Sequence, residues 1–151
     1  KFLIKRDDCH RGFRNNANRT LASLVIGYEA LDPKRKLILA GHSLGGATAT
    51  LIAEALWDSG NKNIGLVTAG SPRPGGRRLR RRIKDLEHLR FVHGDDIVAG
   101  TPPWLAGYVH THPAIKLKDA DDTRFDGVAD HNIGDYYDAA VKYYEDKKVT
   151  L

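Results

Sequence analysis

The chain has 151 residues, 41% of them apolar and 28% charged, the size and balance of one globular domain rather than of a disordered tail. No apolar run approaches the ~20 residues that a bilayer-spanning helix needs, and the single cysteine, Cys9, excludes an internal disulfide framework and a multi-cysteine zinc site. The net charge of +5 is unevenly placed: residues 73–90 carry eight basic and two acidic side chains, and residues 119–146 carry nine acidic and two basic ones.

Lys1 to Asp8 holds only three consecutive apolar residues, too few for the apolar stretch of a secretion signal. The chain contains no methionine, even at position 1, which fits processing, trimming or a fragment. One cysteine is compatible with either redox environment, so the compartment stays open.

In chain order, Leu21, Leu24, Val25, Tyr28 and Leu31 recur at the spacing of one helix face. Asp32-Pro33 ends that helix, because proline pushes the preceding residue out of the helical region. Residues 36–40 form a short apolar run suited to a buried strand. Ala47, Leu51, Ile52, Ala55 and Leu56 make a second helical face, stopped near Gly60. Residues 64–69 read as a second buried strand, 77–86 as a basic helix and 89–93 as a third strand. Residues 108–118 read as a strand or hairpin interrupted by Pro113. Ile133, Tyr137, Ala140, Val141 and Tyr144 fall on one face of a last helix. Strands alternating with helices predict a single α/β domain over residues 1–151 with a largely parallel sheet.

The most informative segment is Gly41-His42-Ser43-Leu44-Gly45-Gly46-Ala47. It fits G-x-S-x-G with an apolar strand before it and a helix after it, the setting of a nucleophile elbow. Such a serine sits on a tight, strained turn with its hydroxyl exposed, so Gly41 and Gly45 are expected to be small for steric reasons. The helix behind Ser43 places partial positive charge where an oxyanion would develop, with the Leu44 N–H as one donor.

A serine nucleophile needs a base, and the base needs an orienting carboxylate. In this fold class they follow in the order serine, acid, histidine. Asp96 lies on a loop directly after a strand, where the site of a parallel sheet belongs; Asp95 is not excluded by spacing. Downstream bases are His110, His112 and His131. His131 follows Asp130 on the loop opening the last helix, whereas His110 and His112 alternate on a strand-like stretch that suits a structural role. His10, His42, His88 and His93 precede the acid and are structural by the same order.

With these residues in place, the sequence resembles the lipase class 3 family, the fungal-type triacylglycerol lipases of the α/β-hydrolase fold. The resemblance runs over nearly the whole chain. Residues 9–13 (Cys-His-Arg-Gly-Phe) are similar to the family's histidine-x-glycine-phenylalanine segment, and residues 41–47 match its nucleophile motif. Residues 68–73 (Thr-Ala-Gly-Ser-Pro-Arg) resemble its strand-end segment. Residues 96–103 match its aspartate-x-valine pattern running to a proline pair, and Asp130-His131 matches the pair carrying the base. The resemblance implies Ser43 as nucleophile, Asp96 as orienting acid and His131 as general base. It favours Asp96 over Asp95.

Two departures stand out. Ala99 replaces a frequent proline, which changes loop stiffness more than chemistry. The family's upstream strand, with the arginine-glycine-threonine or -serine segment that supplies a second oxyanion donor, and the helical lid after it are not found. The resemblance thus implies a hydrolase core without its first strands and lid, its oxyanion hole keeping only Leu44. Loss of one such donor costs about 10²–10³ in turnover.

The expected activity is hydrolysis of carboxylic esters of lipids, of the triacylglycerol lipase or phospholipase type, through an acyl-enzyme on Ser43, with no metal or organic cofactor. One alternative is a soluble esterase of short-chain or aromatic esters. Another is a non-catalytic interaction module that retains the hydrolase core. Arg77, Arg78, Arg80, Arg81 and Arg82 suit either a solvated helix face or an anionic membrane surface. Nucleic acid is disfavoured by the acidic C-terminal third and by the lack of stacking residues beside the arginines.

Overall fold

A computed structural model describes residue 4 and residues 8–29, 34–118 and 127–147. Leu31, the Asp32-Pro33 stop and the side chains of Val25 and Tyr28 lie outside the described residues. Helix α1 spans Arg11–Glu29 and buries Ala17 and Leu21. Strand β1 (Leu37–His42) leads through Ser43 into α2 (Leu44–Asp58), and β2 spans Ile64–Ala69. Helix α2 closes where Ser59 and Gly60 donate to the Ala55 and Trp57 carbonyls, with Gly60 in the left-handed region at φ 101.

The four strands of the sheet, completed by β3 (Glu87–His93) and β4 (Ile115–Leu117), run in the order β1-β2-β3-β4 with every neighbouring pair parallel. Alternation along the strands gives the sheet two separate cores. Leu39, Ile64 and Leu66 pack with α1 and α2 on one face. Val67, Ala69, Phe91, Ile115 and Leu117 pack with α4 (Ile133–Asp146) on the other. This is the expected α/β layering, with helices on both faces of a parallel sheet.

Three local expectations are corrected. The basic helix α3 covers only Arg77–Arg82, because Ile83 leaves the helix at φ −112 and the chain turns. Leu79, Ile83 and Leu86 are all buried at helical spacing, yet a turn rather than a second helical stretch delivers the last of them. Of the strand or hairpin expected over residues 108–118, the strand forms and the hairpin does not. Val109 bridges to Gly75, and after Pro113 the short β4 joins β3 in parallel. The buried face of α4 is rotated from the predicted one: Tyr136 is 2% exposed, whereas Ile133, Tyr137 and Val141 are 54%, 69% and 40% exposed.

Arg82 is corrected too. It turns inward, its Nε donating to Glu54 and its terminal nitrogen lying 3.2 Å from the Asp8 carboxylate. Arg77, Arg78, Arg80 and Arg81 stay exposed. Among the described residues no helix is long and apolar enough to cross a membrane.

On the face away from α4, Thr68 and the β3 residues His88 and Arg90 are polar. The segment between β3 and β4 folds over them. His88 lies 2.9 Å from the Thr68 hydroxyl and 3.3 Å from His112. Burial, and then the charges of His112 and Arg90, push His88 down from 6.5 to about 3. Burial, and then Arg90, push His110 down to about 4. Below about pH 6.5 the unfolded chain therefore binds protons that the folded chain refuses. Stability contributed by these histidines is complete above that pH and is lost as pH falls towards 4. Urea midpoints measured from pH 7.5 to 4.5 should fall steadily, and a constant midpoint would count against buried neutral histidines.

Candidate active site

The site is assembled from three segments at the carboxyl ends of parallel strands. Ser43 connects β1 to α2 with φ 54 and ψ −131, and it is the one non-glycine residue with positive φ among the described residues. A serine in that region is strained and must be held by its surroundings. Its N–H donates to the Ala69 carbonyl at 3.0 Å, and its carbonyl accepts from the Gly46 N–H at 2.9 Å.

The glycines around it have unequal reasons to be glycine. A Cβ on Gly41 would lie 2.4 Å from the Gly45 carbonyl oxygen, a backbone clash that no side-chain motion relieves. A Cβ on Gly46 would lie 2.7 Å from the Ser71 Cβ. A Cβ on Gly45 would meet nothing within 4 Å, so the steric role expected of Gly45 belongs to Gly46. The turn directs position 45 outward and position 46 onto the β2 loop. Gly45→Ala is therefore expected to be neutral or to stabilise α2 by about 0.5–1 kcal/mol. Gly46→Ala should cost about 1–3 kcal/mol through overpacking. Denaturant titration of the two variants distinguishes them, and equal effects would contradict this assignment.

His131 Nε2 lies 2.7 Å from the Ser43 hydroxyl, and His131 Nδ1 lies 2.9 Å from Asp96 Oδ2. The structure thus brings together Ser43, Asp96 and His131, the three residues named from the sequence. Asp96, 5% exposed, accepts from the Val98 N–H at 2.8 Å through Oδ1 and from the Tyr136 hydroxyl at 2.7 Å through Oδ2. Asp95 is exposed, and its N–H donates to the Asp130 carboxylate at 2.7 Å. Asp130, 4% exposed, thereby ties the loop carrying Asp96 to the loop carrying His131. Neither other downstream histidine bonds Ser43: His110 lies 2.8 Å from the Ala99 carbonyl and His112 packs on His88.

Tyr136 was not legible as a site residue. Its hydroxyl bonds the carboxylate that also bonds His131, and burial followed by that bond pushes its own ionisation upward. Tyr136→Phe removes only a hydroxyl and should cost about 1.5–3 kcal/mol, the worth of a hydrogen bond to a charged group. Urea unfolding measures this, and a loss below about 0.5 kcal/mol would show that the bond contributes little.

His42 is a second supporting residue. Its Nε2 lies 2.9 Å from the His131 carbonyl, and its ring sits 4.7 Å from the His131 ring. Leu44, 48% exposed, opens α2, whose first N–H groups have no acceptor within the helix. A group attacked by Ser43 would develop negative charge beside those donors. Among the described residues no group of three or more histidine, cysteine, aspartate or glutamate side chains is arranged to hold a metal ion.

The chain is 36% identical over 120 residues to secreted mono- and diacylglycerol lipase 1 of Fusarium solani, a match covering 76% of this chain and 36% of that protein. Its structure resembles the mono- and diacylglycerol lipase of Aspergillus oryzae with a TM-score of 0.68 at 29% identity, covering 76% of this chain and 44% of that one. It resembles the lipase of Rhizopus microsporus var. chinensis equally well, at 27% identity over 85% of this chain and 54% of that one. The chain thus spans between a third and somewhat over half of the relatives' lengths. The fold they share is the α/β-hydrolase fold. The model of the family "Lipase (class 3)" matches residues 6–106, which include Ser43 and Asp96 but stop short of His131. This chain belongs to the class 3 lipase family.

Proposed function

We propose that the chain is a serine hydrolase that cleaves carboxylic esters of lipids. The observation that carries this reading is the unbroken hydrogen-bonded series from the Ser43 hydroxyl through His131 to Asp96, at 2.7 and 2.9 Å. His131 Nε2 takes the Ser43 proton as the hydroxyl attacks the ester carbonyl. Asp96 holds Nδ1 protonated and stabilises the imidazolium that forms. The oxyanion receives the Leu44 N–H at the start of α2. His131 returns its proton to the leaving alcohol. Water then repeats the sequence on the acyl-serine.

The lipid part of the proposal rests on family membership and on exposed apolar residues near the three site residues in sequence. Leu44, Ile97 and Val128 are 48%, 54% and 74% exposed, each within three residues of Ser43, Asp96 or His131. Trp104 and Leu105 follow at 68% and 79% exposed. Apolar residues so placed suit an acylglycerol or phospholipid surface better than a small aqueous ester. The four exposed arginines of α3 would add attraction for anionic lipid. Vesicle binding with and without anionic lipid tests that addition, and no difference would remove it.

The test of the chemistry is labelling by a fluorophosphonate probe. Labelling of the wild-type chain and not of Ser43→Ala is expected. Equal labelling of both, or of neither, would leave the alternative of a non-catalytic module. A series of p-nitrophenyl esters then separates lipid from short-chain specificity, with activity rising with acyl length on the lipid reading.

A further inference from the structure

The polar part of the sheet face away from α4 encloses an open cavity of about 300 Å³. Arg90 and Val92 of β3 and Lys116 of β4 line it from the sheet, and Arg73, Ala99 and His110 line it from the overlying loops. Ser43 and His131 do not reach it, but Asp96 lies in its wall.

Arg90 is the unusual member. It is 8% exposed, and its Nε donates to the His112 carbonyl at 3.0 Å. Among the described residues it forms no ion pair, although a buried cation normally requires one. Burial, with Arg73 adding positive charge nearby, pushes Arg90 down to about 10. Arg73 binds the Gly100 and Pro102 carbonyls through one nitrogen, and Lys116 is exposed. His110 is neutral at pH 7 and brings no charge. The Asp96 carboxylate is already committed to His131, Tyr136 and two backbone N–H groups. Asp95 is exposed at the cavity wall, so two carboxylates there oppose three cations and the lining keeps a net positive charge.

We propose that this cavity binds a phosphate group, with the Arg90 guanidinium as the inner contact and Lys116 and Arg73 as the outer ones. A guanidinium takes two oxygens of a tetrahedral oxyanion at once, and an ammonium takes a third as a point charge. Three cations suit a dianionic phosphate better than a single carboxylate. The volume is at the small end of ligand pockets and holds a phosphate with a short substituent rather than an acyl chain. Binding there supplies a counter-charge to Arg90 and joins β3, β4 and the loop after β2. It does not depend on Ser43 acting as a nucleophile.

The experiment is thermal unfolding of the whole chain against inorganic phosphate, at constant ionic strength set with chloride. A second arm uses monomeric dibutanoyl phosphatidate, which distinguishes a lipid head group from the free ion. A melting temperature that rises and saturates with either anion, but not with chloride, is expected. Lys116→Gln should weaken that response about tenfold, as for loss of one charge-assisted hydrogen bond. Arg90→Gln should abolish it, and because Arg90 also holds the His112 carbonyl, the exposed Lys116 variant carries the test if Arg90→Gln does not fold. Arg80→Gln on α3 should leave the response unchanged. No anion-specific shift in the wild-type chain, an unchanged midpoint in Lys116→Gln, or a response that follows Arg80 instead would overturn the proposal.

Discussion

Replacing Ser43 by alanine is expected to lower ester turnover by a factor on the order of 10⁶, with the fold intact. The side chain is the attacking atom in the proposed reaction, and no other hydroxyl is bonded to His131 among the described residues. His131→Ala should cost about as much, and the double variant should be no worse than either single one, because the two groups act as a unit. Asp96→Asn should cost about 10⁴, since the amide leaves the imidazole in the wrong tautomer. Steady-state kinetics with a p-nitrophenyl ester check all four variants. Additive losses would mean that Ser43 and His131 act separately. The Asp96 variant also disturbs the bonds from Tyr136 and Val98, so its melting temperature belongs beside its rate.

The largest stability effect is expected at Arg82. Its partner Glu54 is 1% exposed, on the buried side of α2. Arg82→Met would leave that carboxylate buried without its guanidinium. Removal of one partner of a buried pair costs about 3–5 kcal/mol, and with the Arg82 side chain 22% exposed to solvent the lower end applies. For a domain of this size that is a drop of roughly 6–12 °C in melting temperature. Replacing both partners, as Arg82→Met with Glu54→Leu, should recover most of the loss, because the cost lies in burying the carboxylate without the guanidinium. A double variant as unstable as the single one would show that the pair itself supplies the stability.

The part of the site that was legible in the sequence is the part fixed by local backbone chemistry. An apolar run, Gly-x-Ser-x-Gly and a helical face place Ser43 on its turn without knowledge of the rest of the fold. Chain order narrowed the acid to Asp95 or Asp96 and the base to three downstream histidines, and the family resemblance selected Asp96 and His131, although they lie 35 residues apart and Ser43 lies 88 from His131. What was not legible depends on tertiary partners. Tyr136 and Tyr137 are adjacent, and the spacing of apolar residues admits either as the buried one. The choice is made by Asp96, forty residues upstream, whose carboxylate accepts the Tyr136 hydroxyl. Gly45 and Gly46 likewise cannot be ranked locally, since Ser71, on the loop after β2, decides which of them is crowded. The arginines of 77–82 read as one exposed basic face until Glu54 draws the last of them inward.

His131 stands two residues before α4, and α4 holds the sheet through a small cluster in which Phe91, Leu117 and Tyr136 are the fully buried members. The larger core on the other face does not touch it. A helix attached this lightly opens at a lower free energy than the sheet beneath it. Each opening withdraws the imidazole from Ser43 and the phenol from Asp96 together, while the strands stay paired. Warming would therefore silence the site by detaching one helix, with the rest of the molecule still native.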